Sequence, residues 1–85
     1  NMNRKQRIKI ILLDQFKNFS IEIIDNSNLH SGHFSFDGKG ETHIQIILKN
    51  TNEKKINRLD IHKKINKLLE NEYNSGLHSL EIKII

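Results

Sequence analysis

FSIEIIDNSNLHSGHFSFDGKGETHIQIILK, residues 19–49, is the stretch on which the architecture turns. At its start Phe19, Ile21 and Ile23 alternate with Ser20 and Glu22. At its end Ile44, Ile46 and Leu48 alternate with His43, Gln45 and Ile47. Period two with one apolar face is the pattern of a half-buried strand, so two strands are expected, most naturally antiparallel. Between them, residues 25–43 hold three of the five histidines and all but one of the four glycines. Asp25-Asn26-Ser27-Asn28 ends the first strand, because these side chains bond to nearby backbone and compete with ladder pairing. A polar, breaker-rich loop between apolar runs has the character of a working loop on a rigid scaffold. Its length adds weight, since structureless loops above about 12 residues are uncommon in compact domains and often functional.

Outward from this stretch the pattern turns helical. On the N-terminal side Ile8, Ile11, Leu12 and Phe16 fall at helical spacing, with Arg4, Lys5, Arg7 and Lys9 largely on other faces. Ile10 and Leu13 are expected to widen the apolar side of this first helix. On the C-terminal side Asn50-Thr51-Asn52 breaks the second strand, and Thr51 or Asn52 is positioned to cap a second helix. Ile56 and Leu59 indicate a short helical piece. Ile61, Ile65, Leu68, Leu69 and Tyr73 mark a longer amphipathic helix, which Asn74-Ser75-Gly76 terminates. Leu80, Ile82 and Ile84 then alternate with Ser79, Glu81 and Lys83 as a third strand. The order α-β-β-α-α-β defines an α+β fold with a three-stranded mixed sheet and helices packed on one face.

That order has a consequence for the histidines. A strand, a helical crossover and a second strand in one sheet run parallel, so the starts of the second and third strands share one edge. His43 begins the second strand, His78 begins the third, and the loop carrying His30 and His33 feeds into the second. Four histidines are therefore expected around one end of a single domain spanning 1–85.

Composition narrows the function. The 85 residues include no cysteine, so the chain cannot by itself offer thiolates to an iron-sulfur cluster or act as a thiol nucleophile. No apolar run approaches the roughly 20 residues of a membrane span, and a soluble cytoplasmic protein is the default expectation. Asn1 before Met2 reads as a cloning remnant, and residues 1–3 are expected to be disordered or extraneous. The formal charge of +4 favours an anionic partner. The abundance of Ile, Lys and Asn without Ala or Val is also what an AT-rich genome imposes, which leaves a plain solvated surface as the alternative.

Three blocks of sequence resemble the BolA family. They are His30-Ser31-Gly32-His33 with Gly40-Glu41-Thr42-His43-Ile44, then Ser75-Gly76-Leu77-His78-Ser79-Leu80-Glu81-Ile82, and between them Ile61-His62-Lys63. The resemblance implies a fold like the class II KH domain and a partnership with a monothiol glutaredoxin in handling [2Fe-2S] clusters. In such pairs the BolA-like member offers a loop His or Cys and a second His at the start of the last strand. Those roles fall on His33 and His78, with His30 as the alternative loop ligand and His43 behind both. The glutaredoxin and glutathione would bring the thiolates, and the isolated chain is expected to be a cofactor-free monomer. Two departures stand out. Glu53-Lys54-Lys55 replaces the family's phenylalanine-x-glycine turn, and the usual arginine-histidine-arginine triplet keeps one basic residue, Lys63.

Other readings weigh against these. His62 shares a stripe with Ile65 and Leu69 and reads as a core-edge residue, and His43 reads as an outward strand residue bonded to the loop. Gly38-Lys39-Gly40 lacks the spacing of a phosphate cradle. Asp25 and Glu41 do not form a paired acid and base, so an enzyme is not expected. The competing function is a DNA-binding regulator of stress response and cell morphology. It would use the basic residues of the first helix together with Arg58, Lys63, Lys64 and Lys67.

Overall fold

The computed structural model describes residues 2–26, 42–51 and 55–85. Helix α1 (Arg4–Gln15) leads into strand β1 (Phe19–Asp25) and strand β2 (His43–Asn50). Helices α2 (Arg58–Leu68) and α3 (Glu70–Asn74) then cross over to strand β3 (Ser79–Ile84). The sheet order is β1-β2-β3. Strands β1 and β2 are antiparallel, with Ile21 opposite Leu48 and Ile23 opposite Ile46. Strands β2 and β3 are parallel, with His43 beside Ser79 and Ile46 beside Ile82. This is the mixed three-stranded α+β sheet expected from the alternating runs, and the helical crossover is what permits the parallel pair.

One sheet face carries the core. Ile23, Ile44, Ile46 and Leu48 meet Ile8, Leu12 and Phe16 of the first helical segment, Ile65 and Leu69 of the second, and Leu77 before β3. Phe16 stands edge-on to Phe19, with ring centroids 5.8 Å apart, and so turns the chain from α1 into β1.

Four sequence expectations are corrected. Ile10 and Leu13 do not broaden the buried side of α1. They are 54% and 48% exposed, because the face of α1 turned to the core is the one carrying Ile8, Ile11 and Leu12. The helical crossover divides at Leu69 rather than before Ile61. Asn57 caps α2 by accepting from the Asp60 N–H, Leu59 points to solvent, and the break at Leu69 lets that side chain enter the core. Asn3 belongs to the fold: its side chain accepts from the Gln6 N–H at 2.9 Å while Gln6 Oε1 accepts from the Asn3 N–H at 2.9 Å. Arg4, read as one of the residues on other faces of α1, is buried.

The turn after α3 explains how the chain reaches β3. Gly76 has φ +120°, a backbone conformation that side chains disfavour. Its N–H donates to the Tyr73 carbonyl at 3.5 Å and the Leu77 N–H to the Glu72 carbonyl at 2.9 Å, the paired bonds of a Schellman ending. Leu77 then drops into the core and leaves His78 at the sheet edge.

Candidate functional site

The parallel pairing of β2 and β3 brings His43 and His78 together across 35 residues of chain. The hub is Thr42. Its carbonyl accepts from the N–H groups of His78 at 2.8 Å and Ser79 at 3.1 Å. Its hydroxyl lies 2.9 Å from His43 Nδ1. The His43 carbonyl in turn accepts from the Asn26 N–H at 2.8 Å, which ties the end of β1 into the same edge. The two imidazoles are stacked, with centroids 6.2 Å apart and planes 7° from parallel. His78 is exposed and His43 half-buried, so the His43 ring forms a wall beside His78.

An imidazole donates its lone pair in the ring plane, so one atom bound by both rings must lie in both planes. Stacked parallel rings offer no such point, so as placed the two imidazoles do not aim at one common atom. Among the described residues no group of three or more His, Asp or Glu side chains is placed to hold a metal ion. His30 and His33, the two loop candidates, lie outside the described residues. His62 is half-buried in α2, and its carbonyl accepts from the Asn66 side chain at 2.9 Å.

A second polar cluster lies behind the turn that delivers His78, and nothing in the spacing of the sequence announced it. Arg4 Nε donates to Glu72 Oε1 at 3.0 Å, and Arg4 Nη2 donates to the Ser75 carbonyl at 2.8 Å and to Ser75 Oγ at 3.2 Å. Arg7 adds Nε to Glu72 Oε2 at 2.9 Å and Nη2 to Oε1 at 2.8 Å. Glu72 is only 5% exposed. Hydrogen bonding to Arg7 holds its carboxyl below the usual range against the opposing effect of burial, and Arg4 adds to the same side. Arg4 and Arg7 read in the sequence only as two of the basic residues off the apolar face of α1. Their partner, 65 residues beyond Arg7, was not visible there.

Of the basic residues named for nucleic acid, Lys63, Lys64 and Lys67 are exposed on neighbouring positions around α2, and Arg58 stands apart from them. Arg58 is in phase with buried Ile65 on α2, two turns earlier, and borders a groove with Asn50, Lys55, Ile56 and Ile85. Lys63 and Lys67 are exposed on the opposite side of α2. Lys64 Nζ sits 5.3 Å from the centre of the Phe16 ring. Arg4 and Arg7 of α1 are engaged by Glu72.

Comparison with known proteins agrees with this architecture. The family model described as BolA-like protein matches residues 12–85. A Sinorhizobium protein named for its position in the cobS 5' region is 32% identical over 83 residues, covering 96% of this chain and 89% of that one. The UV-induced protein uvi31 of Schizosaccharomyces pombe is 30% identical over 84 residues, covering 95% of this chain and 82% of its own. Among solved structures, the BolA domain of SufE1 from Arabidopsis thaliana aligns with TM-score 0.77 and 30% identity over 99% of this chain and 92% of that one. BolA1 from Arabidopsis thaliana aligns with TM-score 0.78 and 28% identity over the same shares.

Proposed function

The chain belongs to the BolA-like family, and on that premise we propose that it is a non-enzymatic adaptor that binds a monothiol glutaredoxin and shares a [2Fe-2S] cluster with it. His78 is one ligand from this chain. The segment 27–41 supplies the other, through His33 or else His30. The observation that carries the reading is the placement of His78: an exposed imidazole at the sheet edge, on backbone held by the Thr42 carbonyl, with His43 stacked behind it.

The donor chemistry fits such a shared guest. A chain without cysteine joins a thiolate-rich site only as its nitrogen-donating half, and imidazole is an established cluster ligand. When bound, the cluster supplies an electron-accepting iron-sulfur unit whose potential is raised by imidazole in place of thiolate. The chain's own residues do the rest. Thr42 fixes the height of His78 on the sheet edge, and His43 restricts the swing of its ring. Asn26 and Thr42, the residues that flank segment 27–41, are both tied to this edge.

The test is to mix the protein with cluster-loaded monothiol glutaredoxin and glutathione and to record visible circular dichroism. A new spectrum with the native protein, lost with His78→Ala and with one of His33→Ala or His30→Ala, is the expected result. An unchanged spectrum on mixing, or a His78→Ala variant that behaves as the native protein does, overturns it.

A further inference from the structure

The described residues hold one buried polar cluster that the proposed function does not use, and it adjoins the turn that carries His78. Arg4 is 8% exposed, Glu72 is 5% exposed, and their side chains are joined at 3.0 Å. A pair needed only to fasten α1 to α3 would be complete with that bond. Arg4 goes further, directing Nη2 to the carbonyl of Ser75, the residue that closes α3. Gly76 comes next with φ +120°, and a Cβ added there would stand 3.4 Å from the same Nη2.

We propose that Arg4 is a positioning residue for His78, acting through the Ser75–Gly76–Leu77 turn. This rests on the reading of His78 as a ligand. The chain of contacts is short. The guanidinium holds the Ser75 carbonyl, Gly76 reverses the backbone, Leu77 is locked in the core, and the next residue is His78. On the far side the Thr42 carbonyl takes the N–H groups of His78 and Ser79. His78 is thus held from both directions, by Thr42 on the sheet side and by Arg4 on the helix side. The planar fork of arginine matters here, because one guanidinium spans Glu72 and Ser75 from two different nitrogens. A lysine ammonium at the same place is a single point and cannot reproduce the fixed two-nitrogen geometry.

Arg7 provides the internal control. Among the described residues it binds the same carboxylate and the Met2 carbonyl, whereas Ser75 is held by Arg4. The experiment compares Arg4→Lys with Arg7→Lys in the full chain, at one fixed pH. The readouts are the imidazole resonances of His78 and the cross-relaxation between the His43 and His78 rings. Arg4→Lys is expected to move the His78 resonances and weaken the contact between the rings, whereas Arg7→Lys leaves both as in the native protein. In the mixed complex with cluster-loaded glutaredoxin, Arg4→Lys is expected to weaken sharing about 10-fold, the scale of a lost supporting contact behind a metal ligand.

Unmoved His78 resonances in a folded Arg4→Lys protein overturn the proposal, as does an equal response from Arg7→Lys. Should Arg4→Lys fail to fold, Gly76→Ala disturbs the same link from the turn side. An unmoved His78 in that variant also overturns it. Failure of the ligand reading has a different signature. The ring resonances then respond to Arg4→Lys while the native protein produces no spectral change with glutaredoxin.

Discussion

Glu72 shows how much a single residue decides in this protein. Two arginines converge on one carboxylate that is almost fully removed from water. Glu72→Ala leaves the Arg4 charge buried without its carboxylate, which is expected to cost about 3–5 kcal/mol, measured by urea unfolding. That is a large share of the roughly 4–13 kcal/mol available to a domain of this length. The same group sets an acid limit. Its carboxyl titrates below the ordinary 4.5 in the fold, chiefly because of the Arg7 hydrogen bond. A depressed folded pKa gives stability that is fully present above the unfolded value and lost as pH falls through the folded one. The urea midpoint of the native protein is therefore expected to drop below about pH 4.5, and Glu72→Gln to flatten that limb. Because Arg7 is partly exposed and Arg4 is not, added salt should weaken the Arg7 share first. In the sequence Glu72 was one acid in a polar run, and no local pattern marks which acid a distant arginine will find.

At the level of elements, local signals were read correctly where they act locally. The alternating strands, the Gly76 stop and the amphipathic first helix all arise from periods and turn chemistry in neighbouring residues. The helix boundaries moved where capping and core access competed with periodicity. Asn57 took the cap expected at Thr51 or Asn52, and buried Leu69 divides the crossover. At the start of α1 the reciprocal bonds of Asn3 and Gln6 satisfy backbone donors that helical bonding leaves over. Asn3→Ala is expected to lower stability by about 1 kcal/mol in thermal or urea unfolding. A neutral result would mean that Asn3 lies outside the cooperative fold. The outward exposure of Ile10 and Leu13 has a related cause. An apolar helix stripe can be wider than the face turned to the core, and which face that is depends on what the helix packs against.

For the molecule as a whole, the core is one layer of contacts between helices and a single sheet face. Ile46 stands at its centre, fully buried, between Ile23 on β1 and Ile82 on β3. Ile46→Ala is expected to cost about 2–5 kcal/mol by loss of burial and the cavity left behind, read as a lowered urea midpoint. A loss well under about 1 kcal/mol would contradict the central place given to this strand. The sequence by itself determined the order of elements, which strand faces are apolar, and the meeting of His43 with His78 at one edge. Those features rest on period, turn residues and the handedness and connection rules of sheets, all carried by nearby positions. Only the tertiary structure decided that the two imidazoles stack instead of converging, that Arg4 is buried, and that Glu72 and Ser75 receive it. Such pairings depend on side-chain directions after distant segments have packed. A charged residue reads the same in sequence whether water or a carboxylate from the other end of the chain will surround it.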